Sequence, residues 1–177
     1  MRYVALLRGI NVGGKNAVAM ADLRGAFEDL GFADVSTYIN SGNVLFRGKR
    51  RKRAELAAEV ERALTRRFKI DLKVVIVSAA ELRQVVENAP PGFGAEGDSC
   101  DVLFLRKPLT VKRALGAIEL KEGVDRAWAG KGVVYHSRLA ARASSSRISK
   151  FVMTPEYQDV TIRSWSTTTK LAALTND

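Results

Sequence analysis

The chain has 177 residues, 46% of them hydrophobic, which is enough to bury a core in one domain or two small ones. Its formal charge of +10 points to acidic partners such as nucleic acid, phosphorylated small molecules or an anionic membrane surface. A single cysteine, Cys100, excludes an intramolecular disulfide, and a single histidine, His136, excludes a multi-histidine metal site.

A reducing cytoplasm is the expected compartment. The N-terminus enters a short apolar run after Arg2, so neither a signal peptide nor a membrane span is expected. Residues 2–8 read as a buried strand. The stretch Gly9-Ile10-Asn11-Val12-Gly13-Gly14-Lys15-Asn16 follows, with three glycines, two asparagines and a lysine, preceded by Arg8. Such a loop presents backbone N–H groups and positive charge to an anion. Residues 16–19 connect it to a helix marked by Met20, Leu23, Phe27 and Leu30, with Gly31 at the C-terminal cap position.

Val35, Thr37 and Ile39 alternate with Ser36, Tyr38 and Asn40, as in a strand with one buried face. Asn40-Ser41-Gly42-Asn43 is a turn signal and Val44-Leu45-Phe46 resumes the strand, so a β-hairpin is expected. Lys49 to Arg53 is an unbroken basic run. Leu56, Val60, Leu64 and Phe68 then mark a second helix, and Leu72 to Val77 a continuous apolar strand. The order β-α-β-β-α-β is that of a ferredoxin-like fold.

Ser78-Ala79-Ala80-Glu81 is a capping box for a helix carrying Leu82, Val85 and Val86. Pro90 to Ser99, rich in Pro and Gly, is the expected linker, and the halves divide as residues 1–89 and 90–177. The element order then repeats. Val102 to Arg106 is a strand, and Pro108 to Ile118 a helix with Thr110 as cap. Val124 to Trp128 and Val133 to His136 make a hairpin around Ala129 to Gly132. Ser144 to Val152 reads as a helix, Val160 to Arg163 as a strand, and Ser166 or Thr167 as the cap of a last helix with Leu171 and Leu174. The fold class expected is α+β, two ferredoxin-like βαββαβ halves from an internal duplication. Both halves are basic, with 16 Lys and Arg against 10 Asp and Glu in residues 1–89 and 13 against 9 in the remainder.

Three places carry candidate chemistry. Gly9-x-x-x-x-Gly14-Lys15 matches most of a phosphate-binding P-loop, but Asn16 stands where a Ser or Thr should hold Mg²⁺, and the helix starts late. In this loop Arg8, Asn11, Gly13, Gly14 and Lys15 are the candidate ligand residues. Asn40, Ser41 and Asn43 offer donors and acceptors at a strand end. Arg163, Thr169 and Lys170 border a helix start with hydroxyls around it, which suits an anion. The basic run Lys49–Arg53 is read as a solvated loop, and Trp128, Tyr135 and Trp165 as core. Neither His136 nor Cys100 has the neighbours in sequence that a base or nucleophile needs. No cofactor is expected.

Three motifs, taken together, resemble the bacterial family catalogued as domain of unknown function 1697. They are Leu6 to Lys15, Tyr38 to Val44, and Thr161 to Leu171, and the match spans nearly the whole chain. The resemblance implies a cytoplasmic α+β protein of two related halves; it supplies no activity, cofactor or catalytic residue. The family pattern carries Asn at the positions of Ser164 and Ser166 part of the time, so a role needing an amide there is not supported. The function expected is binding of a phosphate-bearing ligand, with nucleic acid favoured. The alternatives are a small enzyme acting on an anionic metabolite in a cleft between the halves, or a protein-interaction module.

Overall fold

The computed structural model describes residues 1–14 and 16–175. The chain forms two compact units, Met1–Leu82 with the chain from Leu171 onwards, and Arg83–Lys170. The unit boundaries fall inside two helices rather than in a loop.

The first unit runs β1 (Arg2–Arg8), α1 (Met20–Asp29), β2 (Ala33–Tyr38), β3 (Asn43–Arg47), α2 (Arg53–Phe68) and β4 (Lys73–Ser78). Its antiparallel sheet has the order β2-β3-β1-β4. The continuous apolar run Tyr3–Leu7 becomes a central strand because both of its faces are buried. Tyr3, Ala5 and Leu7 point to one face, where they meet Leu23 and Phe27 of α1 and Leu56, Val60 and Leu64 of α2. These are the residues whose spacing marks the two helices. After α1 the Gly31 N–H bonds Glu28 O at 2.8 Å and the Phe32 N–H bonds Phe27 O at 3.3 Å, a Schellman-type stop.

The second unit begins within α3 (Ala79–Glu87) and runs β5 (Asp98–Leu105), α4 (Val111–Ala117), β6 (Asp125–Ala129), β7 (Val133–Leu139), α5 (Ile148–Phe151), β8 (Val160–Ser164) and the start of α6 (Trp165–Leu174). The sheet order is β6-β7-β5-β8. Counted from the first strand of each unit, this is the same order as in the first sheet. The α+β fold of two related βαββαβ units therefore holds. The second core gathers Leu103, Leu109, Ala114, Ile118, Val134, Phe151 and Val160.

The capping box at Ser78 forms as expected. Its N–H and hydroxyl both donate to Glu81 Oε2, at 2.9 and 2.8 Å, and its Oγ accepts the Glu81 N–H at 3.3 Å. Thr110 caps α4 by accepting the Arg113 N–H. Two local expectations are corrected. The stretch 144–152 is not one helix: a 3₁₀ turn over Ala140–Ser145 gives way to the four-residue α5, with Arg147 non-helical between them. Ser166 and Thr167 do not cap α6, because the helix starts directly from β8 and Ser164 Oγ accepts the Thr167 N–H.

Residues 90–99, the expected linker, carry packing contacts of their own. Phe93 lies edge-on to Trp128, Tyr135 and Trp165, with ring centroids 6.0, 5.2 and 5.1 Å away. The Gly94 N–H bonds Cys100 Sγ, and the last two residues of the stretch already belong to β5.

Candidate functional site

The loop between β1 and α1 is shaped by left-handed backbone. Gly9, Asn11, Gly13, Gly14 and Asn16 all have φ between 52° and 75°. Glycine and asparagine are the residues that adopt this region at least cost, which is why the sequence is written with them here. At Gly13 and Gly14 an added Cβ would meet nothing within 4 Å, so these two answer to conformation and not to packing.

Asparagine side chains brace the loop. Asn11 Nδ2 donates to Val18 O at 2.9 Å and to Asn40 O at 3.0 Å, and Asn11 Oδ1 accepts the Val18 N–H at 2.8 Å. Asn16 Nδ2 donates to Gly9 O at 2.9 Å. The neighbouring hairpin turn is fixed in the same way. Asn43 is fully buried, and its Nδ2 donates to Tyr38 O and Ser41 Oγ. Gly42, at φ 79°, passes so near Ile10 and Leu7 that a Cβ would lie 2.8 to 2.9 Å from their side chains. The Leu7 N–H closes the contact by donating to Gly42 O at 2.8 Å.

Loop and hairpin turn therefore form one braced surface. The side chains of Asn11 and Asn43, expected to serve a ligand, also hydrogen-bond the protein's own loop and turn. Asn40 and Ser41 sit in the same turn, tied into it through Asn40 O and Ser41 Oγ. What the loop leaves open is at its tip. Gly13 and Gly14 are exposed, and among the described residues no bond takes up either N–H. Arg8 ends β1 just before the loop, opposite Lys73 of β4. Lys15, the expected cation of this loop, lies outside the described residues. α1 begins only at Met20, so its N-terminus does not follow the Gly14-Lys15 pair as a P-loop requires.

The third motif belongs to the second unit. Arg163 on β8 is buried, and that burial lowers its guanidinium to about 10, so it is still a cation at neutral pH. It donates to Ile162 O at 2.8 Å. Thr169 turns its hydroxyl back to Trp165 O and Ser166 O within α6, and Lys170 is exposed. The basic run Lys49–Arg53 is largely matched by acids: Arg51 pairs with Glu59, Lys52 with Glu55 and Arg53 with Glu81.

A charged cluster that the sequence did not reveal lies in the second sheet. His136 of β7 is fully buried, and its Nε2 is 3.4 Å from Asp125 Oδ1 of β6. Burial pushes the imidazole below its usual range, against the pull of Asp125 and Asp101. Burial pushes Asp125 up, but donation from the Arg147 N–H, the Ser146 hydroxyl and the Lys121 N–H outweighs it and leaves the carboxylate low. The only sequence signal was a lone histidine in an apolar strand.

Among the described residues no group of three His, Cys, Asp or Glu is placed to hold a metal ion, and no helix is long and apolar enough to cross a membrane.

Two βαββαβ units joined in one chain define an α+β class. Residues 1–135 match the family described as "Protein of unknown function (DUF1697)", and the chain belongs to that family. A solved structure, "conserved bacterial protein SP0830 from Streptococcus pneumoniae", superimposes with a TM-score of 0.86 at 30% identity, covering 98% of each chain. No curated protein matches the chain.

Proposed function

We propose that this protein binds a phosphate-bearing ligand at the loop between β1 and α1, with nucleic acid as the ligand class. The observation that carries this reading is the loop tip. Gly13 and Gly14 hold left-handed backbone in the open, their N–H groups untaken by the described residues, on a scaffold already rigidified by Asn11 and Asn16. Consecutive N–H groups on such a turn form a concavity that suits an anion. Arg8 at one end of the loop and Lys15 in it supply charge, and the net +10 raises the local concentration of polyanions.

Lys15 and Arg8 carry the electrostatic share, the Gly13 and Gly14 amides the positional share, and Asn11, Asn40, Ser41 and Asn43 hold the shape. Arg163 and Lys170 count toward the net positive charge of the chain. A cytoplasmic location fits the reading, since nucleic acid is available there and Cys100 is a single, buried thiol.

The test is binding of a labelled single-stranded oligonucleotide across a salt series. Affinity is expected to fall linearly on a log–log plot, by roughly 0.7 per phosphate contacted. Lys15→Ala is expected to weaken binding and flatten that slope. A complex indifferent to salt would refute the reading.

A further inference from the structure

Two large aliphatic side chains stand in solvent beside the Asn11–Asn40 tether. Val12 is 65% exposed and Ile39 is 49% exposed. Asn11 Nδ2 bonds Asn40 O at 3.0 Å, and Val12 and Ile39 are each next in sequence to one end of that tether.

Ile39 is the stranger of the two. Its φ is 50°, in the left-handed region that β-branched residues tolerate least. Glycine, asparagine or aspartate would sit there with less strain. Core packing does not account for an isoleucine, because the residue is half exposed. The residue is held in place from outside: Asn43 Nδ2 bonds Tyr38 O on one side of it, and Asn11 Nδ2 bonds Asn40 O on the other. A strained residue, braced on both sides and showing an apolar surface, marks a place where the surface is used.

We propose that Val12 and Ile39 form an apolar shelf for an unpaired base of single-stranded nucleic acid, whose backbone phosphate rests on the Gly13 and Gly14 amides. This inference rests on the phosphate-binding reading of the same loop. The occupant follows from charge and chemistry together. The shelf lies against an anion-accepting loop on a chain of net charge +10. A matching ligand carries a flat apolar face within one nucleotide of a phosphate. In a duplex those faces are hidden in the stack; in a single strand they are available. An apolar peptide segment would satisfy the shelf and leave the amides unused.

The experiment compares three labelled probes at low salt: a short single-stranded RNA, an abasic strand of equal length, and the same RNA as a duplex. The wild type is expected to prefer the base-bearing strand to the abasic strand by about tenfold. Ile39→Gly and Val12→Ser are each expected to remove most of that preference while leaving affinity for the abasic strand unchanged. Ile39→Gly should melt at or above the wild-type temperature, because glycine relieves the backbone. Should that variant fail to fold, Val12→Ser, at an exposed loop position, decides alone. Equal wild-type affinity for the base-bearing and abasic strands, tighter binding of the duplex, or wild-type preference in the folded variants would overturn the shelf and leave the phosphate reading standing. Binding of none of the probes would overturn both.

Discussion

Replacing Asn11 by alanine removes three hydrogen bonds at once and leaves the Val18 N–H without its acceptor. The expected cost is about 1–3 kcal/mol, read as a lowered denaturation midpoint, together with a loss of ligand affinity as the loop loosens. Gly42→Ala meets both a left-handed φ and the side chains of Ile10 and Leu7, and about 2 kcal/mol or more is expected from strain and crowding. His136 makes stability depend on pH. Its folded-state value lies below the unfolded value of about 6.5, so the unfolded chain binds the proton first. Stability should therefore be full above that pH and decline as the pH falls through and below it. Asp125, also depressed, adds a second decline at lower pH, below the ordinary carboxylate range. Asp101 moderates the first step and Arg138, ion-paired with it at 3.0 Å, deepens it. Urea unfolding of the wild type and His136→Gln across that range tests this; equal pH slopes for the two would contradict it. The residue types of the glycine loop were legible because left-handed backbone selects so few of them. Where the amides of Asn11 and Asn43 point was not, because Asn11 is oriented by the Asn40 carbonyl, far along the chain, and Asn43 by a turn whose exact path propensity does not give.

Elements with one dominant signal were the legible ones. A continuous apolar run set β1 and β4, and helical spacing of Leu56, Val60 and Leu64 set α2. The capping box at Ser78 was readable from four residues because it is wholly local. Ser78→Ala is expected to destabilise the protein by about 1 kcal/mol, lowering its melting temperature by about 2–4 °C. The stretch 144–152 misled because Ile148, Phe151 and Val152 fall at helical spacing, while Ser144, Ser145 and Ser146 before them favour turns. Ser146 is instead used to dock the turn, its hydroxyl donating to Asp125. Residues 90–99 are a different case. Proline and glycine report a break in regular structure, not an absence of packing, and Phe93 was the overlooked sign. Phe93→Ala should open this segment at a cost of about 3 kcal/mol and expose it to limited proteolysis. Unchanged protease resistance would mean that the aromatic cluster is not what holds it.

The duplication is a property of the whole chain, visible as one strand order used twice. Element order made it legible although the residues filling the two copies differ. The second copy is the more irregular, with 3₁₀ turns and the short α5 where the first copy has the sixteen-residue α2. Charge is the other property at this scale. Much of the positive charge is matched locally, as in the pairs of Arg47 with Asp34, Arg106 with Asp159 and Arg113 with Glu156. A surplus of ten cations nevertheless remains over the full sequence. Composition reports that surplus and cannot say where a ligand sits; the place proposed for it is the Gly13-Gly14 tip, whose N–H groups no described residue takes up. The measurement that tests this most directly is the affinity of the wild type and of Lys15→Ala for one labelled single-stranded oligonucleotide across a salt series. Binding that weakens steadily with salt in the wild type, with a lower affinity and a shallower slope in Lys15→Ala, is the expected result. No complex at low salt, or the same affinity and slope in both proteins, would contradict it.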